Sequence, residues 1–215
     1  MKYGVLGTGN VAHTIASKLI ALGHEVMMGA RSSANDKAAA WAAANGERAR
    51  HGTFAEAARF GERIFNCVEG IHSAEALRSA GTENLRGKIL IDQSNPYIHR
   101  NGHTLIAPEY GGDVCLGEAN QALLPQTKVV KTLNYLHNCL MTRPQALPEP
   151  ITGFYCGNDA EAKAAVAQLL HDFGWKDTFD LGDISMSRYT EMLGAFWVPL
   201  YKQLGHMNWG LKLVR

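Results

Sequence analysis

The chain has 215 residues, of which 46% are hydrophobic and 19% are charged. That balance excludes an intrinsically disordered chain, which would have too few apolar side chains to offset the entropy of ordering. The 21 Lys and Arg residues against 20 Asp and Glu residues leave a net charge of +1, which argues against a nucleic-acid or anionic-membrane binder held by bulk electrostatics. No apolar run reaches the roughly 18 residues of a membrane span, and the glycine-interrupted N-terminus is not typical of a signal peptide.

The four cysteines lie far apart in the sequence, so no CxxC pair is present. Zinc sites and dithiol redox sites usually need such pairs, and a chain of this length does not need a disulfide framework to fold. The sequence therefore predicts free thiols, no metal site and a cytoplasmic location. The residues concerned are Cys67, Cys115, Cys139 and Cys156.

Strands and helices alternate along most of the chain. Residues 2–6 form an apolar run, residues 7–10 a turn, and apolar residues at helical spacing follow up to Gly23. The same alternation continues, which predicts an α/β fold with a doubly wound, Rossmann-type, mostly parallel sheet. Further strands are predicted at 25–29, 63–68, 88–92, 129–133, 153–156 and 178–181, and further helices at 36–44, from Thr53, at 73–79 and at 159–173.

The C-terminal third of the chain has a different composition. Residues 183–209 are helical in character, and Pro199 predicts a kink or two helices that meet there. Residues 93–113 are interpreted as a loop, and residues 144–150, with three prolines, as a connector. We therefore expect a first domain at 1–143 and a small helical C-terminal portion at 151–215.

A glycine fingerprint opens the chain. Gly7-x-Gly9-x-x-Ala12 matches the dinucleotide-binding pattern, in which the first glycine permits a tight turn and the second lets the backbone approach a pyrophosphate. The third, small residue lets the helix pack closely on the strand. The pattern follows a predicted strand and opens a predicted helix, which is the context that gives a short motif its meaning.

The end of the second predicted strand indicates which dinucleotide is bound. NAD-binding proteins usually place a carboxylate there for the ribose hydroxyl, whereas this chain has Arg31, Ser32 and Ser33 and no carboxylate before Asp36. A guanidinium is a permanently charged, multiple donor that suits a phosphate group. The sequence predicts NADP as the cofactor, with a solvated surface arginine as the alternative interpretation of Arg31.

Two asparagines and three histidines are further candidates. Asn95 and Asn134 each follow a predicted parallel strand, where ligands bind in open α/β sheets, although asparagine also favours turns. His99 and His103 are four residues apart, but the intervening Asn101-Gly102 breaks a helix, so we interpret them as surface residues and not as metal ligands. His137 is either an acceptor-pocket residue or a structural histidine.

Six segments together resemble the family of NADPH-dependent coenzyme F420 reductases and related dinucleotide-binding oxidoreductases. The resemblance runs along most of the chain and is more specific for the fold and for NADP binding than for the second substrate. The segments are residues 7–12 (GTGNVA), 22–26 (LGHEV), 29–32 (GARS), 92–96 (DQSNP), 130–134 (VKTLN) and 156–163 (CGNDAEAK).

The resemblance implies a Rossmann domain that holds NADPH and a C-terminal portion that extends the sheet and closes the pocket of the hydride acceptor. It implies that Thr8, Arg31 and Ser32 hold the 2′-phosphate, and the hydroxyl of the adjacent Ser33 is a further predicted donor. Around the rest of the cofactor it implies Gly9, Asn10 and Val11 at the pyrophosphate, next to the turn at Gly7, and Cys67, Val68, Ser94 and Asn95 along the path to the nicotinamide.

The acceptor is less well defined by the resemblance. Ala30 stands where relatives often carry serine, and residues 66–69 and 97–112 do not match the family pattern. We expect hydride transfer to F420 or a flavin-like small molecule, with Asn134 and His137 in the acceptor pocket. Such a transfer needs positioning more than a catalytic acid or base, and none is predicted.

Two alternative functions and the oligomeric state remain open from the sequence. The protein could reduce a small imine or carbonyl compound, although only about 60 residues follow the connector, fewer than a large helical domain of ordinary size requires. It could also be a non-enzymatic NADPH-binding sensor, because a fold does not fix a function. The aromatic residues Phe196, Trp197, Tyr201 and Trp209 suggest a core or a homodimer contact.

Overall fold

Ten strands form one eight-stranded sheet and one separate hairpin in the computed structural model of the chain, which describes residues 1–215. The order in the large sheet is β10-β9-β8-β5-β4-β1-β2-β3, and β6 pairs with β7 in the hairpin. The strands are β1 (Lys2–Leu6), β2 (Glu25–Ala30), β3 (Ala49–Thr53), β4 (Arg63–Asn66), β5 (Ile89–Asp92), β6 (Tyr97–Arg100), β7 (His103–Ile106), β8 (Lys128–Thr132), β9 (Thr152–Gly157) and β10 (Asp177–Asp180).

Nine helices connect these strands. They are α1 (Asn10–Ala21), α2 (Asp36–Ala44), α3 (Phe54–Phe60), α4 (Ser73–Ala80), α5 (Thr82–Leu85), α6 (Leu116–Leu123), α7 (Asn138–Met141), α8 (Ala160–Phe173) and α9 (Ser187–Leu204). None of them is long and apolar enough to cross a membrane.

The helices cover both faces of the sheet, because side chains of a strand alternate between its faces. In β1, Tyr3 and Val5 belong to a core of 26 buried residues that α1, α2 and α8 complete. Leu6 belongs to a second core of 13 buried residues on the opposite face, which α3 and α4 complete. This arrangement confirms the predicted doubly wound α/β class.

A crevice forms where the order of the strands reverses. β1 lies in the interior of the sheet and pairs in parallel with β2 on one side and β4 on the other. The chain first proceeds outward through β2 and β3 and then returns to build β4, β5 and β8 on the other side. The connections that leave the carboxyl ends of β1 and β4 therefore diverge, and ligands of open α/β sheets bind at this point.

The C-terminal residues continue the same sheet. β9 pairs antiparallel with β8, in the register Lys131 opposite Cys156, and β10 pairs in parallel with β9. Asp159 begins α8 as predicted: its side chain accepts a hydrogen bond from the Ala162 N–H at 2.8 Å. The predicted start of a helix at Thr53 is also confirmed, by a capping box with Glu56.

The interpretation of residues 93–113 as a loop was wrong. These residues contain the antiparallel hairpin of β6 and β7, joined by Asn101 and Gly102 with φ angles of 51° and 76°. Both positive φ values are typical of the two-residue turn that matches the twist of a hairpin, for which Asn-Gly is the strongest short signal. The dipeptide marks a hairpin here and not merely the end of a helix.

Of the two alternatives predicted at Pro199, two separate helices are wrong, and a kink stays a prediction. Pro199 lies inside the single helix α9. A proline there cannot donate to the carbonyl four residues earlier, that of Ala195. Pro199 is exposed, so water can reach this side of the helix and replace the missing donor.

Candidate functional site

A cleft of about 350 Å³ lies at the carboxyl ends of β1, β2 and β4. We call it the glycine cleft, since two glycines of the fingerprint form its floor. Its lining residues are Gly7, Thr8, Gly9, Ala30, Arg31, Asn35, Phe54, Cys67, Val68, Glu69, His72, Glu75, Ala76 and Ser79.

The two glycines of this floor are required for different reasons. Gly7 has a φ of +117°, and a Cβ there would lie 2.9 Å from the Cys67 carbonyl oxygen. Gly9 has an ordinary φ of −85°, and a Cβ there would meet no atom of the protein within 4 Å. Gly7 is needed by the fold of the chain, whereas the space above Gly9 is left for something outside the chain.

The space above Gly9 adjoins the N-terminus of α1. No side chain caps this helix, and no acidic residue lies in its first turn. The first N–H groups of a helix have no partner within the helix, and its dipole is positive at this end. An uncapped helix N-terminus next to the open space at Gly9 suits the pyrophosphate of a dinucleotide.

Arg31 lies at the other end of the glycine cleft, directly after β2. Its side chain is exposed and takes part in none of the salt bridges of the chain. No Asp or Glu follows β2 before Asp36, which lies in the first turn of α2. This end of the cleft therefore offers a free guanidinium, which is suited to a phosphate monoester.

Six predicted neighbours of the cofactor lie outside the lining of the glycine cleft: Asn10, Val11, Ser32, Ser33, Ser94 and Asn95. Asn10 is exposed in the first turn of α1, and Ser32 and Ser33 are exposed beyond Arg31. The Ser32 hydroxyl accepts a hydrogen bond from the Ala34 N–H at 3.2 Å. Gly7, Thr8, Gly9, Arg31, Cys67 and Val68 are the predicted residues that the glycine cleft brings together.

A second cleft of about 480 Å³ adjoins the first, and β6 forms one of its walls. We call it the hairpin cleft. Cys67, Val68 and Glu69, which follow β4, line both clefts. A ligand that extends along the glycine cleft past these three residues therefore reaches the hairpin cleft. The remaining lining residues of the hairpin cleft are Val11, Ile71, Gln93, Asn95, Tyr97, Ile98 and His99.

The structure places the other predicted residues of this region behind the hairpin cleft. Asn134 is buried and bonds to Asn95, which does line the cleft. The buried Ser94 hydroxyl donates to Asp92 at 2.6 Å. His137 packs against Trp197, with 6.0 Å between the ring centroids, and burial lowers the pKa of its imidazole.

Beneath the hairpin cleft lies a buried ion-pair cluster that the sequence analysis missed. The Lys131 ammonium, at 0% exposure, lies 3.0 Å from the Asp92 carboxylate and 3.1 Å from the Glu191 carboxylate. Burial disfavours the charge of Lys131, but the two carboxylates outweigh that effect and raise its pKa to about 12. The cluster joins β5, β8 and α9 at one point.

The two carboxylates also organise the chain around them. Asp92 accepts from the Asn66 and Asn120 amides at 3.0 and 3.1 Å and from the Ser94 N–H at 3.1 Å. Glu191 accepts from the first two N–H groups of α6, and its carbonyl accepts from the Tyr97 hydroxyl at 2.7 Å. The cluster thus fixes Ser94 and Tyr97, one on each side of Asn95.

A charge inside an apolar strand would have been the signal for this cluster. Lys131 interrupts the run Val129-Val130-Lys131-Thr132-Leu133, and a buried lysine requires a partner of opposite charge. Glu191 carries no such signal, because helix α9 offers many polar positions. Sequence reasoning also missed the cleft residues on α4 and on the hairpin, whose elements gave no chemical motif.

Comparison with known proteins agrees with this geometry. The profile of the family described as "NADP oxidoreductase coenzyme F420-dependent" matches residues 2–96. A crystal structure of a candidate F420-dependent NADP-reductase from Arthrobacter sp. FB24 is similar to the whole chain, with 40% identity, complete coverage of both chains and a TM-score of 0.93.

More distant relatives share the scaffold. The metalloreductase STEAP3 of Rattus norvegicus is 29% identical over 204 residues, and the match covers 94% of this chain but only 38% of that protein. The imine reductase BcSIRED of Bacillus cereus BAG3X2 is 18% identical, with a TM-score of 0.64 over 94% of this chain and 63% of that one, which shows a common fold alone. The full-length match to the Arthrobacter protein and the family profile establish that this chain belongs to the family of coenzyme F420-dependent NADP oxidoreductases.

Proposed function

We propose that the protein binds NADPH in the glycine cleft and passes its hydride to a flavin- or deazaflavin-like acceptor in the hairpin cleft. The observation that carries this proposal is the wall of Cys67, Val68 and Glu69 that the two clefts share. A cofactor whose phosphates lie at Gly9 and Arg31 would bring its other end past this wall.

The preference for NADPH over NADH rests on Arg31. The guanidinium is free and lines the cleft, and no carboxylate follows β2 before Asp36, where a ribose hydroxyl would be bonded. A 2′-phosphate would supply the missing partner through charge-assisted hydrogen bonds. Ser32 and Ser33 would add hydroxyl donors if their side chains turn toward the bound phosphate.

The chain's contribution to the reaction would be binding and orientation. NADPH, when bound, supplies the hydride. Val11, Val68 and Ile71 give the hairpin cleft an apolar wall, and Gln93 and Asn95 give it a polar edge. Together they suit a planar ring system with polar carbonyl and nitrogen positions along one side. For hydride transfer, the reacting carbons of this ring system and of the nicotinamide must approach to roughly 3–3.5 Å.

Turnover with a panel of acceptors tests the proposal. The purified protein is incubated with NADPH and, in separate reactions, F420, FMN, FAD, a ferric chelate, a cyclic imine and a ketone, and the loss of NADPH absorbance is followed. We expect oxidation with F420 or a flavin, and slower oxidation of NADH. Tight NADPH binding without oxidation by any acceptor would favour the sensor function, and turnover only with an imine or carbonyl compound would favour the other alternative.

We also propose that the protein forms a homodimer through α9. Tyr189, Met192 and Phe196 follow one another at helical spacing, and each exposes half or more of its surface. A second copy could cover this apolar face through a two-fold contact. Light scattering should give a dimer mass for the native chain and a monomer mass for Phe196→Glu. The cytoplasmic location stays a prediction.

A further inference from the structure

The side chain of Gln93 has an unusual position at the hairpin cleft. It lines the cleft and is only 6% exposed. Its Oε1 atom lies 3.3 Å from the Cys67 Sγ atom, whereas its Nε2 atom is buried and has no hydrogen-bond partner. The carboxamide is therefore satisfied on one side only.

The Cys67 thiol determines which atom of the Gln93 carboxamide is hydrogen-bonded. Burial raises the pKa of this thiol far above its ordinary value, so it keeps its proton and can donate to the Gln93 carbonyl. The Gln93 Nε2 group is then left as a donor. An unpaired buried donor is unfavourable, and buried polar groups in folded proteins nearly always have a partner.

No acceptor of the protein bonds to the Gln93 Nε2 atom, not even the Asn66 and Asn134 side-chain oxygens, which are buried and unpartnered as well. The Asn95 side-chain oxygen accepts from the Asn134 amide at 2.9 Å, and Asp92 accepts from the Ser94 hydroxyl at 2.6 Å. The backbone of Gln93 is fixed as well, because its N–H donates to the Asn66 carbonyl at 3.0 Å. The missing acceptor must therefore come from outside this segment.

We propose that the Gln93 amide donates a hydrogen bond to an amide-type carbonyl oxygen of a ligand in the hairpin cleft. This inference rests on the proposed function and deepens it, since Gln93 becomes a determinant of ligand specificity. Two ligands carry such a carbonyl: the carboxamide of the nicotinamide and the dione ring of a flavin-like acceptor.

The variant Gln93→Leu keeps the approximate volume of the side chain and removes the donor. Calorimetric titration with NADP⁺ and with 2′-phospho-ADP-ribose, which lacks the nicotinamide, distinguishes the two sources. If the nicotinamide is the partner, the NADP⁺ affinity falls about three- to tenfold and the affinity for 2′-phospho-ADP-ribose stays unchanged. If the acceptor is the partner, NADP⁺ binding stays unchanged and the affinity of FMN or F420 for the NADP⁺-saturated protein falls by that factor.

A structural role is distinguished by stability. Gln121 is the matched control, because its amide donates to the carbonyls of Leu124 and Thr127 and accepts from the Val129 N–H. Gln121→Leu should lower the thermal midpoint by several degrees. Gln93→Leu should change it little, because it loses only the weak hydrogen bond from the Cys67 thiol and at the same time removes an unpaired donor. Cys67→Ser should preserve the ligand affinity, because it retains a donor to Gln93, and Cys67→Ala should not.

Binding measurements keep this inference separate from the proposed function. If neither FMN nor F420 binds, the proposed acceptor is wrong, and the NADP⁺ titration alone decides the role of Gln93. Unchanged affinity of Gln93→Leu for every ligand that the native protein binds would overturn the inference. A loss of stability in Gln93→Leu as large as that in Gln121→Leu would overturn it too.

Discussion

Asn95 and Asn134 form a reciprocal pair of hydrogen bonds across the ends of two neighbouring strands. The Asn95 amide donates to the Asn134 backbone carbonyl at 2.6 Å, and the Asn134 amide donates to the Asn95 side-chain oxygen at 2.9 Å. Leu133, directly before Asn134, is held at a φ of 62°, a strained conformation for a leucine. The turn after β8 thus places Asn134 next to Asn95, which lines the hairpin cleft.

Asn134→Ala should weaken acceptor binding as well as stability. Without the donor on Asn134, the Asn95 side chain loses its orientation at the cleft, and we expect the acceptor KM to rise several-fold and the free energy of unfolding to fall by about 1–3 kcal/mol. Asn138→Ala is the control, because the Asn138 amide donates to the Thr14 hydroxyl at 2.7 Å, away from both clefts. It should cost similar stability and leave the KM unchanged, so equal KM effects would count against the role of Asn134.

Gly7→Ala and Gly9→Ala should have opposite consequences. Gly7 has a positive φ and contacts the Cys67 carbonyl, so alanine there should destabilise the fold by more than about 1 kcal/mol. Alanine at Gly9 fits the backbone and meets no atom, but it occupies the proposed phosphate space. For Gly9→Ala we expect a free energy of unfolding close to that of the native protein and a large loss of affinity for both NADPH and NADH. Normal nucleotide binding by Gly9→Ala would exclude the phosphate site.

The sequence predicted the part of the fold that local patterns determine. Gly7, Gly9 and Ala12 stand in a fixed spacing between a strand and a helix, and in that context the spacing favours a dinucleotide-binding turn over other turns. Arg31 was predictable for the same reason, since its distance from the glycines is set by one strand–helix–strand unit. The glycine cleft therefore contains Gly7, Gly9 and Arg31, which these motifs predicted.

The hairpin cleft could not be predicted in the same way. Gln93, Tyr97 and Glu191 come together only through the packing of β5, the hairpin and α9, which no local periodicity encodes. His137 follows a strand as a ligand-binding residue would, yet tertiary packing sets it against Trp197. Residues that depend on contacts between distant elements leave little trace in one sequence.

Lys131→Met should be among the most destabilising single substitutions. It leaves Asp92 and Glu191 buried without their cation, and breaking a buried ion pair costs about 3–5 kcal/mol. Lys163→Met is the comparison, because the pair of Lys163 with Asp180 is partly exposed and should be worth less than about 1 kcal/mol. Denaturant unfolding at neutral pH measures both variants. Similar losses would mean that the buried cluster contributes no more than a surface pair.

His137→Phe should reduce the acid sensitivity of the protein. Burial lowers the pKa of His137 in the folded state, so the unfolded chain takes up the proton first and stability is lost as the pH falls below 6.5. Phenylalanine retains the ring packing on Trp197 but does not titrate. We expect a smaller loss of unfolding free energy between about pH 7.5 and 5.5. A raised acceptor KM in His137→Phe would instead support its predicted place in the acceptor pocket.

Arg31→Ala should change which nucleotide the protein prefers. If Arg31 holds the 2′-phosphate, its loss removes a charge-assisted contact of about 1.5–3 kcal/mol, and NADPH affinity should fall by about one to two orders of magnitude. NADH has no phosphate at that position, so its affinity should change little. Arg50→Ala is the control, because Arg50 is a surface arginine paired with Glu25 at 3.5 Å and does not line the glycine cleft. Dissociation constants for both nucleotides, measured at one salt concentration, test this directly. An equal fall for NADPH and NADH would make Arg31 a structural residue, and cofactor selection would then have to depend on another group in the cleft.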